Sequence, residues 1–328
     1  MKLEFLLCGS PTEGFFSQMA FFRLCLDALG EDEAAARLVC VFGDHEVAEI
    51  PKAWLPFFER IEVHWAHEPG ADNPGHAKQH NMRFELLDPD ADLSFICDAD
   101  VAVLRPVTPL AAQLKQANAL GGVIAHLHFP WEGRAPQPDI DWPEIAHAVL
   151  GRDISRPFSY TLLDPGAPTD APFYINLGMF AGPPAQLKAF NDRDKELRPK
   201  VSPLLGEWWA PQVSLALTCF DLGLPVDALP MRYNFPNDVR ADRLQANELA
   251  QVVFLHYLRE KPFRRDHIFS DIRAFAEFLE DDLEGSNAVF QRHVHEITKG
   301  VYPFERPGTG MGSRIKRRTA RYQFWRKQ

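Results

Sequence analysis

Short apolar runs separated by turn residues recur along the chain, and their periodicity alternates between that of a strand and that of a helix. Residues 2–8 form the first run and read as a strand. Residues 14–29 are densely apolar, with Phe15, Met19, Phe22 and Leu26 among them, and stop at Gly30. That pattern predicts a mostly buried helix closed by a C-terminal glycine. Residues 38–42 are continuously apolar and precede Gly43 and Asp44, as in a strand covered on both faces. A third strand fits 61–65, a helix 78–87 and another buried strand 93–97. Strands alternating with helices predict an α/β fold around a parallel sheet.

Between 129 and 172 the pattern breaks down. This stretch is rich in Pro, Gly and Asp and reads mostly as loops, which at such length often carry function. Beyond it the pattern predicts a strand at 173–181, helices at 185–197 and 211–222, and short strands at 225–229 and 252–256. Residues 271–299 read as helical, and a Pro/Gly-rich linker follows.

Composition adds constraints on class. With 328 residues, 46% apolar and 24% charged, the chain is an ordinary soluble globular protein with room for its own core. Its five cysteines lack CxxC spacing and sit mostly in apolar runs, so reduced thiols and a cytoplasmic setting are expected. The first eight residues do not read as a signal peptide, and no stretch approaches the length of a spanning helix. Net charge is −10, but residues 314–328, beginning with Arg314 and ending with Gln328, hold seven Lys/Arg and no acid. The remainder, 28 basic against 45 acidic residues, carries −17. An acidic body argues against nucleic acid as partner. The basic tail, interleaved with Tyr322, Phe324 and Trp325, could lie on an anionic membrane surface, at the inner face of the membrane, or be a solubilising end.

The chemistry concentrates at Asp98 and Asp100, which end the apolar run 93–97. Residues two apart on a strand face the same side, and open α/β sheets bind ligands at strand ends. Two hard oxygen donors there suit Mg²⁺ or Mn²⁺ shared with a diphosphate. The D-x-D spacing itself is common in an acidic chain. It also occurs at Asp88/Asp90, Asp90/Asp92, Asp139/Asp141 and Asp192/Asp194, which lack a preceding buried strand and read as solvated turns or helix faces.

A strand followed by D-x-D resembles the GT-A glycosyltransferases, and further segments resemble the retaining family 8 glycosyltransferases, in order over residues 1–265. Arg83 lies on the helix before the D-x-D strand. Tyr174-Ile175-Asn176-Leu177-Gly178 resembles the family's Y-F-N-S-G element, and Gln212-Val213-Ser214-Leu215 its D-Q-x-x-L helix start. Leu229-Pro230-Met231-Arg232-Tyr233-Asn234 resembles L-P-x-x-W-N, and His256 with Lys261-Pro262-Phe263 resembles H-x-x-G-x-x-K-P-W. The chain departs from the pattern at Pro211, where the family has an acid, in a His256–Lys261 spacing one residue shorter that lacks the glycine, and at Phe263.

The resemblance implies a GT-A (Rossmann-like) nucleotide-diphospho-sugar transferase fold over residues 1–270, a helical extension over 271–300, and a linker with basic aromatic tail over 301–328. It implies a UDP-sugar donor, Mn²⁺ or Mg²⁺, and Asp98, Asp100 and His256 as metal ligands. His256 read without the resemblance is a core histidine. Lys261 becomes a diphosphate contact, otherwise a surface lysine. Arg83 becomes a contact to phosphate or donor sugar, otherwise an ion-pair partner of Glu85 or Asp88. Asn176 and Gln212 can donate to and accept from sugar hydroxyls, with Gln212 near the anomeric carbon. Gly178 lets backbone approach the sugar, or simply packs. Gly9 and Ser10 would border the nucleoside; no G-x-G-x-x-G or P-loop is present. The acceptor would be a lipid-linked or cell-surface glycan. Competing readings are a phosphatase of the haloacid dehalogenase type, a non-catalytic nucleotide-sugar or partner-binding module on the same fold, and an inverting enzyme with a base such as Asp164, Asp170 or Glu207.

Overall fold

The computed structural model describes residues 1–43, 49–66, 75–130, 138–162, 170–259 and 262–305, with side chains from 80 onward in the helix that starts at 75. Twelve strands are described: β1 Leu3–Gly9, β2 Arg37–Phe42, β3 Glu62–Trp65, β4 Leu93–Asp98, β5 Val101–Val103, β6 Leu120–Ile124, β7 Phe158–Ser159, β8 Asp170–Ala171, β9 Ile175–Gly182, β10 Val226–Ala228, β11 Phe235–Pro236 and β12 Phe254–His256. The helices are α1 Glu13–Asp27, α2 Glu31–Ala34, α3 Gly75–Glu85, α4 Thr108–Ala117, α5 Trp142–Leu150, α6 Pro184–Leu205, α7 Ala210–Leu222, α8 Val239–Leu244, α9 Ala246–Leu249, α10 Ile272–Glu280 and α11 Gly285–Thr298.

A seven-stranded sheet in the order β10-β6-β9-β4-β1-β2-β3 forms the centre. All its pairings are parallel except those of β9, which runs antiparallel to β4 and β6. The α/β expectation is met, with one reversed strand in the middle. Strand alternation explains the burial. Leu3, Phe5 and Leu7 of β1 enter one apolar core and Leu6 enters the other, so the sheet is covered on both faces. Phe5 stacks on Phe95 of β4 at 4.7 Å. A second sheet, β11-β12-β5, stands beside the first.

Several elements differ from expectation for identifiable reasons. The segment read as loops contains α5, started by a capping box in which Asp141 accepts from the Glu144 N–H and Glu144 accepts from the Asp141 N–H. Helix α6 runs on through Pro199 and Pro203 to Leu205. Leu197, Val201 and Leu205, spaced four apart and buried, hold that last stretch despite the proline penalty. The helical stretch after Asp271 is two helices. The Asp271 side chain caps α10, and Phe290 of α11 is fully buried against Tyr257, Phe263, Phe269 and Phe278.

Candidate active site

Strand β4 ends at Asp98, and Ala99 and Asp100 form a turn that passes the chain into β5 of the second sheet. The two carboxylates therefore meet across a turn between sheets, not by strand periodicity as the sequence suggested. The strand β12 pairs with β5 so that His256 lies opposite Val101, and the Tyr257 N–H donates to the Asp100 carbonyl at 3.0 Å. Tyr257 is locked by stacking on Phe290 at 4.5 Å and by its hydroxyl, which donates to the Ala99 carbonyl. Two chain segments far apart in sequence thus fix Asp100 and His256 against each other. His256 Nε2 lies 3.2 Å from Asp100 Oδ1 and 3.9 Å from Asp98 Oδ2. One ligand atom from each of the three residues can be chosen so that all lie within 4.8 Å of one another.

Asp100 and His256 are buried, whereas 43% of the Asp98 side chain is open. Burial pushes the Asp100 carboxyl up, but the facing His256 and Arg265 charges outweigh it and hold it below the usual range. Burial and the Asp100 charge both raise Asp98. With so much of its surface open, the charge of Asp100 is the weightier cause. His256 is pulled down by burial and more strongly up by Asp100 and Asp98, so it lies above the ordinary imidazole range.

On the far side of His256, a Cβ added to Gly178 would fall 2.2 Å from its Nδ1. Gly178 is thus a glycine because the imidazole packs directly on the β9 backbone. Among the described residues, buried Nδ1 has no hydrogen-bond partner, and neither does the buried Oδ1 of Asn234, 3.0 Å from the same Cβ position. A metal-bound histidine ordinarily donates its second ring N–H to such an acceptor. The donor set of two carboxylates and one imidazole, with that acceptor behind the ring, fits a hard divalent cation.

The neighbouring wall is neutral. Asn176 Oδ1 accepts from the Gly178 N–H at 2.9 Å and from Asn234 Nδ2 at 3.2 Å, which fixes the orientation of its amide. Its Nδ2 therefore faces His126 Nε2, at 3.4 Å. His126 accepts there and donates from Nδ1 to Thr161 Oγ1, whose hydroxyl reaches the Ile124 carbonyl. Burial, and then the charge of His256, pushes His126 down to about 4, in keeping with that neutral tautomer. Gln212 is held by its Nε2 donating to the Ile175 carbonyl at 2.9 Å and by Tyr174 at 3.4 Å. Pro211 sits in the first turn of α7, where a backbone N–H is not needed, so it disturbs no helix geometry.

Arg83 is buried, with Nη1 donating to the Cys97 carbonyl and Nη2 against His80. The ion pair with Glu85 or Asp88 is not formed: Glu85 pairs with Lys195 and Asp88 with Lys2. Gly9 closes β1 next to β4, where Cys8 is in register with Asp98, and a Cβ on it would strike the Phe15 ring at 2.4 Å. Ser10 follows it directly. Lys261, Asp164 and residues 314–328 lie outside the described residues. Asp170 and Glu207 are exposed. Asp194, expected on a solvated face, is buried between α6 and α7, bonded to Ser214 and Arg198. The sequence reading missed Arg265, which grips Asp100, and His126, which faces the Asn176 amide nitrogen. Asn234 lay inside a matched segment and could have been singled out; nothing local marks the other two.

No protein-family model matches the sequence, and no curated protein matches it. Similar solved structures include the galactosyltransferase LgtC with donor and acceptor sugar analogues, at 14% identity and TM-score 0.46 over 78% of this chain and 87% of that one. The apo glycosyltransferase GlyE of Streptococcus pneumoniae is 14% identical at TM-score 0.45, over 79% of this chain and 55% of that one. Mouse xyloside xylosyltransferase 1 is 12% identical at TM-score 0.41, over 80% of this chain and all of that one. At such identities these are likenesses in the path of the chain, and no residue role is taken from them.

Proposed function

We propose that this chain is a metal-dependent glycosyltransferase of GT-A type that moves a sugar from a UDP-sugar to an acceptor with retention. The observation that carries the reading is the meeting of Asp98, Asp100 and His256 where β4 and β12 end, the place at which open α/β sheets take ligands. Mn²⁺, or Mg²⁺ in its place, would supply Lewis-acid stabilisation of the departing nucleoside diphosphate when bound.

The chain's own residues do the rest. Asp98 and Asp100 supply the oxygens, and His256 supplies a nitrogen held in place by Gly178 behind it. Asn176 and Gln212, already immobilised, offer amides to the sugar hydroxyls. Asn176 of β9 and Gln212 at the start of α7 are, among the described residues, neutral amides, the side chains with which the proposal of retention is made. Buried Arg83 adds positive charge beneath Asp98. Gly9 and Ser10 border the nucleoside, and Lys261 is a further diphosphate contact. The composition of residues 314–328 supports a lipid-linked or cell-surface glycan acceptor, met at the cytoplasmic face of a membrane. Among the described residues no helix is long and apolar enough to cross one.

The test is slow hydrolysis of a panel of UDP-, GDP- and ADP-sugars with Mn²⁺ or with EDTA. Release of nucleoside diphosphate from one donor, abolished by EDTA and by Asp100→Ala, is expected. Failure of every donor both to hydrolyse and to bind would end the transferase reading.

A further inference from the structure

Both oxygens of Asp100 are engaged by the protein's own groups. Oδ1 faces His256 Nε2 at 3.2 Å, and Oδ2 is gripped by Arg265 Nη1. Arg265 belongs to the segment between β12 and α10. Its backbone is anchored: the carbonyl accepts from Gln18 Nε2 at 3.3 Å, and the next residue, Asp266, abuts Gly14 of α1. Phe263, two residues earlier, is buried against Phe278 and Phe290. The side chain, by contrast, keeps 34% of its surface open and is long enough to swing about that fixed point.

Charge decides what the swing would do. Two carboxylates in a small volume demand a counter-cation, and Arg265 is one. A divalent ion on Asp98 and Asp100 satisfies the same demand and repels the guanidinium beside it. A nucleoside diphosphate then brings several negative charges, more than the ion alone offsets. A planar guanidinium matches phosphate oxygens with two parallel hydrogen bonds.

We propose that Arg265 is a diphosphate-binding residue, which neutralises Asp100 until a divalent cation and a nucleoside diphosphate arrive and then transfers its fork to the phosphates. This rests on the transferase reading above and adds to it a competition between arginine and metal for one carboxylate. No covalent step is involved.

The two roles have opposite signatures. Mn²⁺ affinity without nucleotide would be measured by paramagnetic resonance titration. Affinity for UDP, GDP and ADP would be measured by calorimetry at saturating Mn²⁺. Arg265→Ala removes the competitor, so it should bind Mn²⁺ alone about threefold more tightly. It should bind the preferred diphosphate at least about tenfold more weakly, the value of one charge-assisted hydrogen bond. Arg265→Lys keeps the charge without the fork, so smaller changes of the same sign are expected; it carries the test should the alanine variant fail to fold. A residue that merely braces the fold would weaken both or change neither, and either result overturns the inference. If the wild type takes up Mn²⁺ but binds none of the three diphosphates, the transferase reading falls and this falls with it. If a diphosphate binds and the variants do not weaken it, only this inference falls.

Discussion

On the β4 side of the site, Asp98, Asp100, His256 and Arg265 crowd four ionisable groups together, and buried polar atoms behind them lack partners among the described residues. On the β9 side, Asn176, Gln212 and His126 are neutral and hydrogen-bonded to one another or to the backbone. The charged side is a set of opposed charges that a cation would rearrange. The amide side is finished before any ligand arrives, so its groups would contribute orientation at little reorganisation cost. Position follows chemistry: the two carboxylates sit where one sheet turns into another, with His256 at the end of β12 and Arg265 in the segment after it, and the amides sit at the start of a strand and of a helix.

The sharpest way to break this contrast is through the residue where the two sides touch. Gly178→Ala would drive a methyl into the His256 ring, so Mn²⁺ affinity should fall about 10- to 100-fold, the usual effect of disturbing the support of a metal ligand. Overpacking should also lower stability by about 1–3 kcal/mol, read in a thermal melt. Unchanged Mn²⁺ affinity would mean that His256 is not a ligand. Asn176→Ala should act the other way round. Donor hydrolysis should drop at least about tenfold, because the Gly178 N–H loses its acceptor and the sugar an amide. Mn²⁺ affinity should stay within about threefold, as the ligands themselves are untouched. Equal losses in both would merge the two sides into one.

A third test lies outside the site. Burial holds His293 of α11 down to about 4, from an ordinary value near 6.5. A group depressed in this way contributes stability that is complete above 6.5 and is lost as pH falls from 6.5 towards 4, because the unfolded chain takes the proton first. The loss is at most about 3 kcal/mol. His293→Phe should flatten that part of the stability profile and leave Mn²⁺ binding alone; a profile that keeps its slope would contradict it. The smallest effect is expected at the exposed Lys188–Asp192 pair, where Lys188→Ala should change stability by less than about 0.5 kcal/mol.

How much of this was legible in the sequence depended on how local the signal was. Strands β1, β2 and β4 are mostly apolar runs, broken only by Glu4 in β1 and Ser94 in β4, and Asp98/Asp100 stood out because such a run precedes them. The turn that brings the two carboxylates together was not legible, since β5 is only three residues long and too short to show a period. His256 was found through an ordered resemblance, not through its own surroundings. The α5 helix was overlooked although Asp141 and Glu144 spell a capping box, because the prolines around them read as loop. Arg83 reads in the sequence either as a contact to phosphate or donor sugar or as half of a helix-surface ion pair; its burial depends on a carbonyl at the end of β4 that only the fold brings near. Arg265 and His126 act through partners 165 and 50 residues away, a distance that no spacing rule spans.

The central claim is that Asp98, Asp100 and His256 form one cation site. It is tested most directly by titrating the intact chain with Mn²⁺ and counting bound ions by paramagnetic resonance, alongside Asp100→Ala and His256→Ala. One tightly bound ion per chain, lost in Asp100→Ala and weakened in His256→Ala, is the predicted result. No bound ion in the wild type, or an ion retained unchanged in both variants, would contradict the account.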